Sequence, residues 1–188
     1  MRALSVWPHY AALIASGHKT IEGRNWQTDY RGPLAIHSTK TWGPGGFAEV
    51  RRFLLEGCDE EMWEALCHAQ GPERPAMCGE RGDDLEEFVD RDAFAREAII
   101  AVATVTECVE VSELRLRKGR RRDSIGRRRS VYSEQAPFCA FDVLAYGLVL
   151  EDVRRLPVPV PCTGRQGRPW ELPELVQAGI DEQLAAIA

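Results

Sequence analysis

The sequence predicts an α+β fold, a small and partly open β-barrel with a helical insertion and peripheral helices. A chain of 188 residues suits one domain better than two. The clearest strand pattern is AIIAVATVTECVEV, residues 98–111, which is rich in β-branched residues. Shorter strand patterns lie on both sides of a central stretch that has helical spacing. Strands around a small sheet, with helices gathered in an insertion, are typical of this fold class.

The first forty residues predict strands and one helix. Residues 2–6 indicate a short strand, and Pro8 then suits the first position of a helix that Gly17 ends. Residues 20–26 can run extended, with alternate side chains on opposite faces. Residues 32–38, GPLAIHS, predict a second and largely buried strand.

The rest of the chain predicts an insertion, further strands and a closing helix. We expect a single domain over 1–188, with an acidic helical insertion at about 41–97. Apolar spacing within it predicts helices at 47–66 and 85–95. Beyond 98–111, the sequence predicts one or two strands at 138–156, an extended linker at 157–162, a short strand at 170–172 and a helix at 174–187.

Charge is distributed unevenly along the chain. The formal net charge is −5, yet residues 49–97 hold 15 acids and six arginines, while residues 115–129 hold nine basic residues and one acid. The segment 115–130 has no apolar face, and it predicts a mobile loop. Clustered arginines neutralise phosphates, so this segment is a candidate RNA contact, with a solvated loop as the alternative.

Membrane and secreted proteins are not favoured. No window approaches 18 uninterrupted apolar residues, and Pro8 and His9 interrupt any signal-peptide pattern near the start. We therefore expect a cytoplasmic protein without a membrane segment. Its six cysteines are then expected to be mostly free thiols.

We expect neither a metal nor a cofactor. Cys58, Cys67, His68 and Cys78 are spaced by nine, one and ten residues, and no C-x₂-C pair typical of zinc sites is present. The glycine-rich motifs that bind ATP or dinucleotides are missing from the sequence, as is the nucleophile elbow of a Ser/His/Asp hydrolase.

Unusual residues concentrate in the segment GHKTIEGRNW, residues 17–26. If it is extended from Thr20, then Thr20, Glu22, Arg24 and Trp26 share one face, and Lys19 sits at the turn that enters the strand. Such a face lines a polar pocket, or it meets water with a Glu22–Arg24 pair. The residues themselves leave both alternatives open.

The pattern of Gly17, Lys19, Glu22 and Arg24 resembles the G-x-K-x-x-E-x-R signature of ASCH (activating signal cointegrator homology) domains. The surrounding blocks, including YRGPLAIHSTK, AIIAVATVTEC and YGLVLEDVRRL, follow in the family's order. The resemblance implies a PUA-like β-barrel with a cleft where the signature lysine, glutamate and arginine meet. It also implies binding of RNA or nucleotides. Some small members of the family hydrolyse N4-acetylcytidine, and at least one has been described as a ribonuclease.

The resemblance implies catalytic candidates at Lys19, Thr20 and Glu22. In the small amidohydrolases the catalytic set includes the signature lysine and a threonine three residues later, a position that Glu22 occupies here. In a hydrolase, Glu22 would act as the general base for water, and Lys19 would polarise the carbonyl or stabilise the oxyanion. In a binding module, the same residues would contact the base or the phosphate.

The expected partner is RNA or a nucleoside or nucleotide. Aromatic rings stack on bases, glutamate accepts from the amino group of cytosine, and arginine holds phosphate. The loop CTGRQGRPW, residues 162–170, is a candidate phosphate contact, with an exposed turn as the alternative. The sequence does not predict an oligomeric state. The candidate binding residues are Trp7, Arg24, Trp26, Tyr30, His37, Lys40, Arg165 and Gln166.

Overall fold

A computed structural model of the chain describes residues 1–52, 65–66, 94–122, 124–139 and 141–187. Much of the insertion lies outside these residues, and so do Cys58, Cys67, His68, Cys78 and most of the two helices predicted there. A helix over Gly46–Arg52 occupies the described start of the insertion.

The described strands form a six-stranded mixed sheet and a separate two-stranded hairpin. In chain order, the strands are β1 (Arg2–Val6), β2 (Ile21–Arg24), β3 (Gly32–Ser38), β4 (Ala98–Glu110), β5 (Lys118–Arg122), β6 (Arg128–Ser130), β7 (Tyr146–Pro161) and β8 (Trp170–Glu171). The large sheet has the order β2-β7-β4-β3-β1-β8, and the hairpin pairs β5 with β6. Only β1 and β3 pair in parallel among the described strands.

The α+β class is confirmed, as a mixed sheet rather than a closed barrel. The sheet runs from β2 at one edge to β8 at the other, and no pairing joins these two edges within the described residues. The β8 strand has only two residues, so it offers too few backbone groups to continue the ladder. Register shifts between β4 and β7 mark bulges, which bend the strands and increase the local twist of the sheet.

Five described helices surround the sheet: α1 (Pro8–Ala15), α2 (Gly46–Arg52), α3 (Val111–Leu114), α4 (Val131–Gln135) and α5 (Glu174–Ala186). Adjacent residues of β3 face opposite sides, as the twofold period of a strand requires. Ile36 belongs to a buried cluster that includes Ile14 of α1, whereas Ala35 belongs to a second cluster that includes Ile180 of α5. No described helix is long and apolar enough to cross a membrane.

Three predictions for the second half of the chain were wrong in detail. The loop predicted at 115–130 instead contains the strands β5 and β6. The strand predicted from residue 138 begins only at Tyr146, and it follows two short 3₁₀ turns, Ala136–Phe138 and Phe141–Val143. The segment 157–162, predicted as a linker, contributes its first five residues to β7, and the last two of these, Val160 and Pro161, pair with the start of β4.

Candidate functional site

A cavity of about 410 Å³ lies where β1 passes into α1, beside β2 and the 3₁₀ turns that precede β7. The start of α1 forms one side of the cavity. The helix begins there because Pro8, which has no backbone N–H, suits its first position. The residues that line the cavity are Ser5, Val6, Trp7, Tyr10, Lys19, Glu22, Gly23, Arg24, Asn25, Trp26, Phe138, Cys139, Val143, Leu144 and Gln166. Six of the residues singled out in the sequence are therefore brought together: Trp7, Lys19, Glu22, Arg24, Trp26 and Gln166.

Lys19 is buried at the wall of the cavity, with 1% of its surface exposed. Its Nζ donates hydrogen bonds to the carbonyl oxygens of Ile21, at 2.7 Å, and Phe138, at 2.8 Å. The same nitrogen lies 3.4 Å from Oε2 of Glu22 and 5.2 Å from the centre of the Tyr10 ring. An ammonium group has three N–H donors, and the two carbonyl oxygens engage two of them. The third is left for the Glu22 carboxylate or the neighbouring Cys139 thiol.

Glu22 and Arg24 form a buried ion pair beside Lys19. Glu22 is 6% exposed, and its Oε1 lies 3.0 Å from Nη2 of Arg24. Nη2 of Arg24 also donates to the carbonyl oxygen of Ser5 at 2.8 Å. The Nε atom of Arg24 is buried and has no hydrogen-bond partner among the described residues. Glu22 and Arg24 reach the same cavity because alternate residues of β2 face the same side.

Aromatic rings stand on two sides of this charged cluster. Trp7 is 39% exposed and stacks on Tyr10, with the ring centres 6.2 Å apart and the planes at 21°. The Trp26 ring lies 5.8 Å from the guanidinium of Arg24 and 5.7 Å from that of Arg168. The cavity therefore combines flat apolar surfaces with a carboxylate and two cations.

Three other candidate residues lie outside the lining of the cavity. Thr20 precedes β2, and its backbone N–H donates to Oε1 of Gln135 at 2.8 Å. The Tyr30 hydroxyl donates to the carbonyl oxygen of Pro33, and Arg2 lies over the Tyr30 ring. Lys40 is exposed and lies 3.5 Å from Oε2 of Glu97.

His37 and Arg165 also lie outside the lining of the cavity, and both belong to a hydrogen-bond network around Ser5. The buried His37 ring places Nε2 2.8 Å from the carbonyl oxygen of Cys162 and Nδ1 3.2 Å from Oγ of Ser5. Oγ of Ser5 donates to the backbone oxygen of Arg165 at 2.7 Å. These bonds hold the loop 162–170 against β1, so that Gln166 reaches the cavity while the Arg165 side chain is exposed.

Burial shifts the pKa of several groups around the cluster. Desolvation, with a smaller effect of the Lys19 charge, lowers the pKa of His9 to about 3, so this imidazole is neutral at physiological pH. Desolvation also raises the pKa of Tyr10 to about 12 and raises that of the Cys139 thiol above its ordinary value. The groups beside the Lys19–Glu22–Arg24 cluster are therefore uncharged near neutrality.

Sequence reasoning missed Tyr10, Gln135, Phe138 and Cys139. Tyr10 follows Trp7 by three residues, a spacing that places both on one face of a helix start and that could have indicated a shared wall. The other three residues lie more than a hundred positions from β2 in the chain, and no local pattern connects them with it. Gln135 binds the backbone of Thr20 and Ile21 through Oε1 and that of His18 through Nε2.

Comparisons with known proteins agree with the pattern in the sequence. The model of a family described as ASCH domain matches residues 4–149, and this match confirms the resemblance. No curated protein matches the sequence. The crystal structure of ASCH from Zymomonas mobilis is 13% identical, with a TM-score of 0.49 over 96% of this chain and 93% of that chain. A mutant of the Zymomonas mobilis protein is 15% identical, with a TM-score of 0.46 over 96% of each chain.

Proposed function

We propose that the cavity of this chain, which belongs to the ASCH domain family, binds one base of an RNA or a nucleotide. The family is associated with RNA binding and ribonuclease activity. The observation that carries the proposal is the buried Lys19–Glu22–Arg24 cluster at the wall of a cavity flanked by indole rings. A volume of about 410 Å³ falls within the range of small-molecule sites, roughly 300–1,000 Å³.

Each part of the cavity has a role in this proposal. The carboxylate of Glu22 accepts a hydrogen bond from an exocyclic amino group, as carboxylates do from cytosine. The Nε–H of Arg24, which lacks a partner among the described residues, donates to a base carbonyl or a phosphate oxygen. Trp7 or Trp26 stacks on the face of the base, and such stacking contributes about 1–3 kcal/mol per base.

Binding is favoured over hydrolysis by the hydrogen bonds of Lys19. A lysine that polarises a substrate carbonyl needs an N–H directed at the substrate. Two of the three donors of Lys19 are already directed at Ile21 and Phe138, its Nζ lies 3.4 Å from Glu22, and the side chain is buried. In this arrangement Lys19 holds the backbone and the carboxylate in place, and Glu22 and Arg24 contact the ligand.

Titration with cytidine monophosphate and with a short single-stranded RNA, read by tryptophan fluorescence, tests the proposal. Glu22→Gln keeps the size of the side chain and removes its charge, so it should weaken binding by about 1–3 kcal/mol. Lys40→Gln also removes one charge, but at a residue outside the cavity, so it should leave nucleotide binding unchanged. Unaltered binding by the Glu22→Gln variant, or no binding by the unmodified protein, would refute the proposal.

Hydrolysis in the same cavity is the second candidate, because a carboxylate and an amine lie 3.4 Å apart there. Incubation with N4-acetylcytidine and with mixed RNA, followed by mass spectrometry of the products, tests it. If Glu22 is a general base, Glu22→Gln should lower turnover by about 10²–10⁴-fold and retain ligand binding. If the unmodified protein forms no product from either substrate, the site acts only by binding.

A further inference from the structure

The hairpin formed by β5 and β6 is the most basic surface of the described residues. We call residues 118–130 the arginine hairpin. It is a folded ribbon, although its sequence has no apolar face. Its exposed basic side chains are Lys118, Arg120, Arg121, Arg122, Arg127 and Arg128. A ribbon holds these charges close together, whereas a flexible loop lets them separate.

Two of these charges directly face each other. Arg122 of β5 is in register with Arg128 of β6, so both side chains project from the same side of the ribbon. Like charges that oppose each other across two strands destabilise the pairing. One guanidinium, that of Arg122, is held over the turn by a bond from Nη1 to the carbonyl oxygen of Gly126 at 2.6 Å. An anion bound between the two guanidinium groups would attract both of them and offset their mutual repulsion.

Glu134 of α4 fixes the hairpin through its backbone. The Glu134 carboxylate accepts hydrogen bonds from the backbone N–H groups of Arg120, at 3.0 Å, and Arg121. A Cβ at Gly119 would collide with the same carboxylate, so any larger residue there would displace the Glu134 side chain from this position. The register of β5 shifts between Lys118 and Arg122, the stretch that contains these two amides. Glu134 therefore holds the hairpin by its backbone amides.

The same helix connects the hairpin to the cavity. Gln135, the next residue after Glu134, accepts from the backbone N–H groups of Thr20, at 2.8 Å, and Ile21, at 3.3 Å. Three residues later, the carbonyl oxygen of Phe138 accepts from Lys19. The short segment 134–138 is therefore bonded to the arginine hairpin at one end and to the Lys19 side of the cavity at the other.

We propose that the arginine hairpin binds the phosphate backbone of the same single-stranded RNA whose base enters the cavity. The protein then prefers a strand of several nucleotides to a free nucleoside. This inference rests on the proposed function, and it adds a second, sequence-independent contact. Base contacts select the ligand, whereas phosphate contacts position it and add affinity that depends on salt.

The salt dependence of RNA binding tests the inference. The double variant Arg122→Ser/Arg128→Ser removes the facing pair, and Arg154→Ser/Arg155→Ser removes two exposed arginines of β7 as a matched control. Arg154 and Arg155 pair with residues 102 and 101 of β4. Residue 102 lies about 26 Å along the strand from Glu110, the end of β4 that precedes the hairpin in the chain. The ligands are cytidine and a single-stranded RNA of about ten nucleotides.

Each phosphate contact adds about 0.7 to the slope of log affinity against log salt for a single strand. Loss of two contacts should therefore lower the slope by about 1.4. The ratio of the RNA affinity of the unmodified protein to that of the hairpin variant should then fall about sevenfold between roughly 50 and 200 mM salt. Cytidine has no phosphate, and its affinity should not change. The control variant should keep the slope of the unmodified protein.

Identical slopes for the hairpin variant and the unmodified protein would overturn the inference, and so would equal losses in the two double variants. Weaker RNA binding with unchanged cytidine binding would support it. Failure of the proposed function would give a different result. In that case Glu22→Gln would alter the affinity of neither ligand, while the hairpin variant would still lower the slope. The phosphate contact of the hairpin would then stand without the base contact in the cavity. A lower free energy of unfolding with unchanged RNA binding would instead make the hairpin a purely structural element.

Discussion

The cavity and the arginine hairpin both concentrate positive charge, and they do so in opposite environments. In the cavity, Lys19 and Arg24 are largely buried and share the single carboxylate of Glu22. In the hairpin, Arg122 and Arg128 are exposed and face each other. A buried charge is stable only when its hydrogen bonds are satisfied, so the positions of the cavity groups are fixed. An exposed charge is solvated by water and remains able to meet a phosphate.

This difference predicts how each region responds to change. Charges at the surface are screened over about 8–10 Å at physiological salt, whereas buried pairs are screened much less. Salt should therefore act on the hairpin, and substitutions that alter burial or protonation should act on the cavity. The predictions that follow separate the two regions by stability, by pH and by local backbone protection.

The largest effect is expected from substitution of the buried lysine. Lys19→Met removes the donor to Ile21 and Phe138 and leaves Glu22 with Arg24 alone. Two buried carbonyl oxygens lose their donor, and Glu22 loses one of its two cations, so the free energy of unfolding should fall by about 3–5 kcal/mol. Lys118→Met makes the same change on the exposed surface of β5 and should cost less than about 0.5 kcal/mol. Urea denaturation measures both, and equal losses would contradict the distinction between the two regions.

Acid should weaken the cavity side of the molecule. The pKa of His9 is lowered to about 3 in the folded state, first by burial and then by Lys19. As pH falls below about 6.5, the unfolded chain binds a proton that the folded chain excludes, so stability decreases between about pH 6.5 and 3 and is unaffected by His9 above that range. At about pH 5 the expected loss is about 2 kcal/mol.

Denaturation at about pH 7 and pH 5 checks this dependence, with His9→Phe as the comparison. The variant has no titrating ring at position 9, so its stability should fall less between the two pH values. Some dependence should remain, because burial also lowers the pKa of His37. The hairpin contains no histidine, so its local stability should not follow this pH profile. An unchanged loss in the variant would mean that His9 is not the responsible group.

The sequence predicted the cavity better than the hairpin, and the reason is physical. Strands such as β3 and β4 have runs of apolar residues whose burial against helices determines their position. The twofold period of β2 placed Glu22 and Arg24 on one face, and both line the cavity. The remaining walls, such as Cys139, come from distant positions in the chain, and only tertiary packing brings them to β2.

The hairpin was missed because its stability does not come from apolar residues. A segment rich in arginine lacks the pattern that predicts a strand, so it resembles a mobile loop. What orders it here is outside the segment: the Glu134 carboxylate of α4 binds the backbone N–H groups of Arg120 and Arg121. The segment offers two local signals: the glycine at position 119 lies close to Glu134, and Gly126 adopts a positive φ of 80° at the turn.

The smallest effect on overall stability, and the most local, is expected for Glu134→Gln. The amide keeps one acceptor oxygen for the N–H groups of Arg120 and Arg121, but its NH₂ group replaces the other oxygen and opposes a donor. The free energy of unfolding should fall by only about 0.5–1.5 kcal/mol. Glu113→Gln is the matched control, because Glu113 lies 3.6 Å from Arg117 and binds no hairpin amide among the described residues.

Amide hydrogen exchange measures this local effect. The exchange rates at residues 120–121 should rise in the Glu134 variant alone, with the protection of β2 and β7 unchanged. Equal exchange at 120–121 in the two variants would show that Glu134 does not order the hairpin.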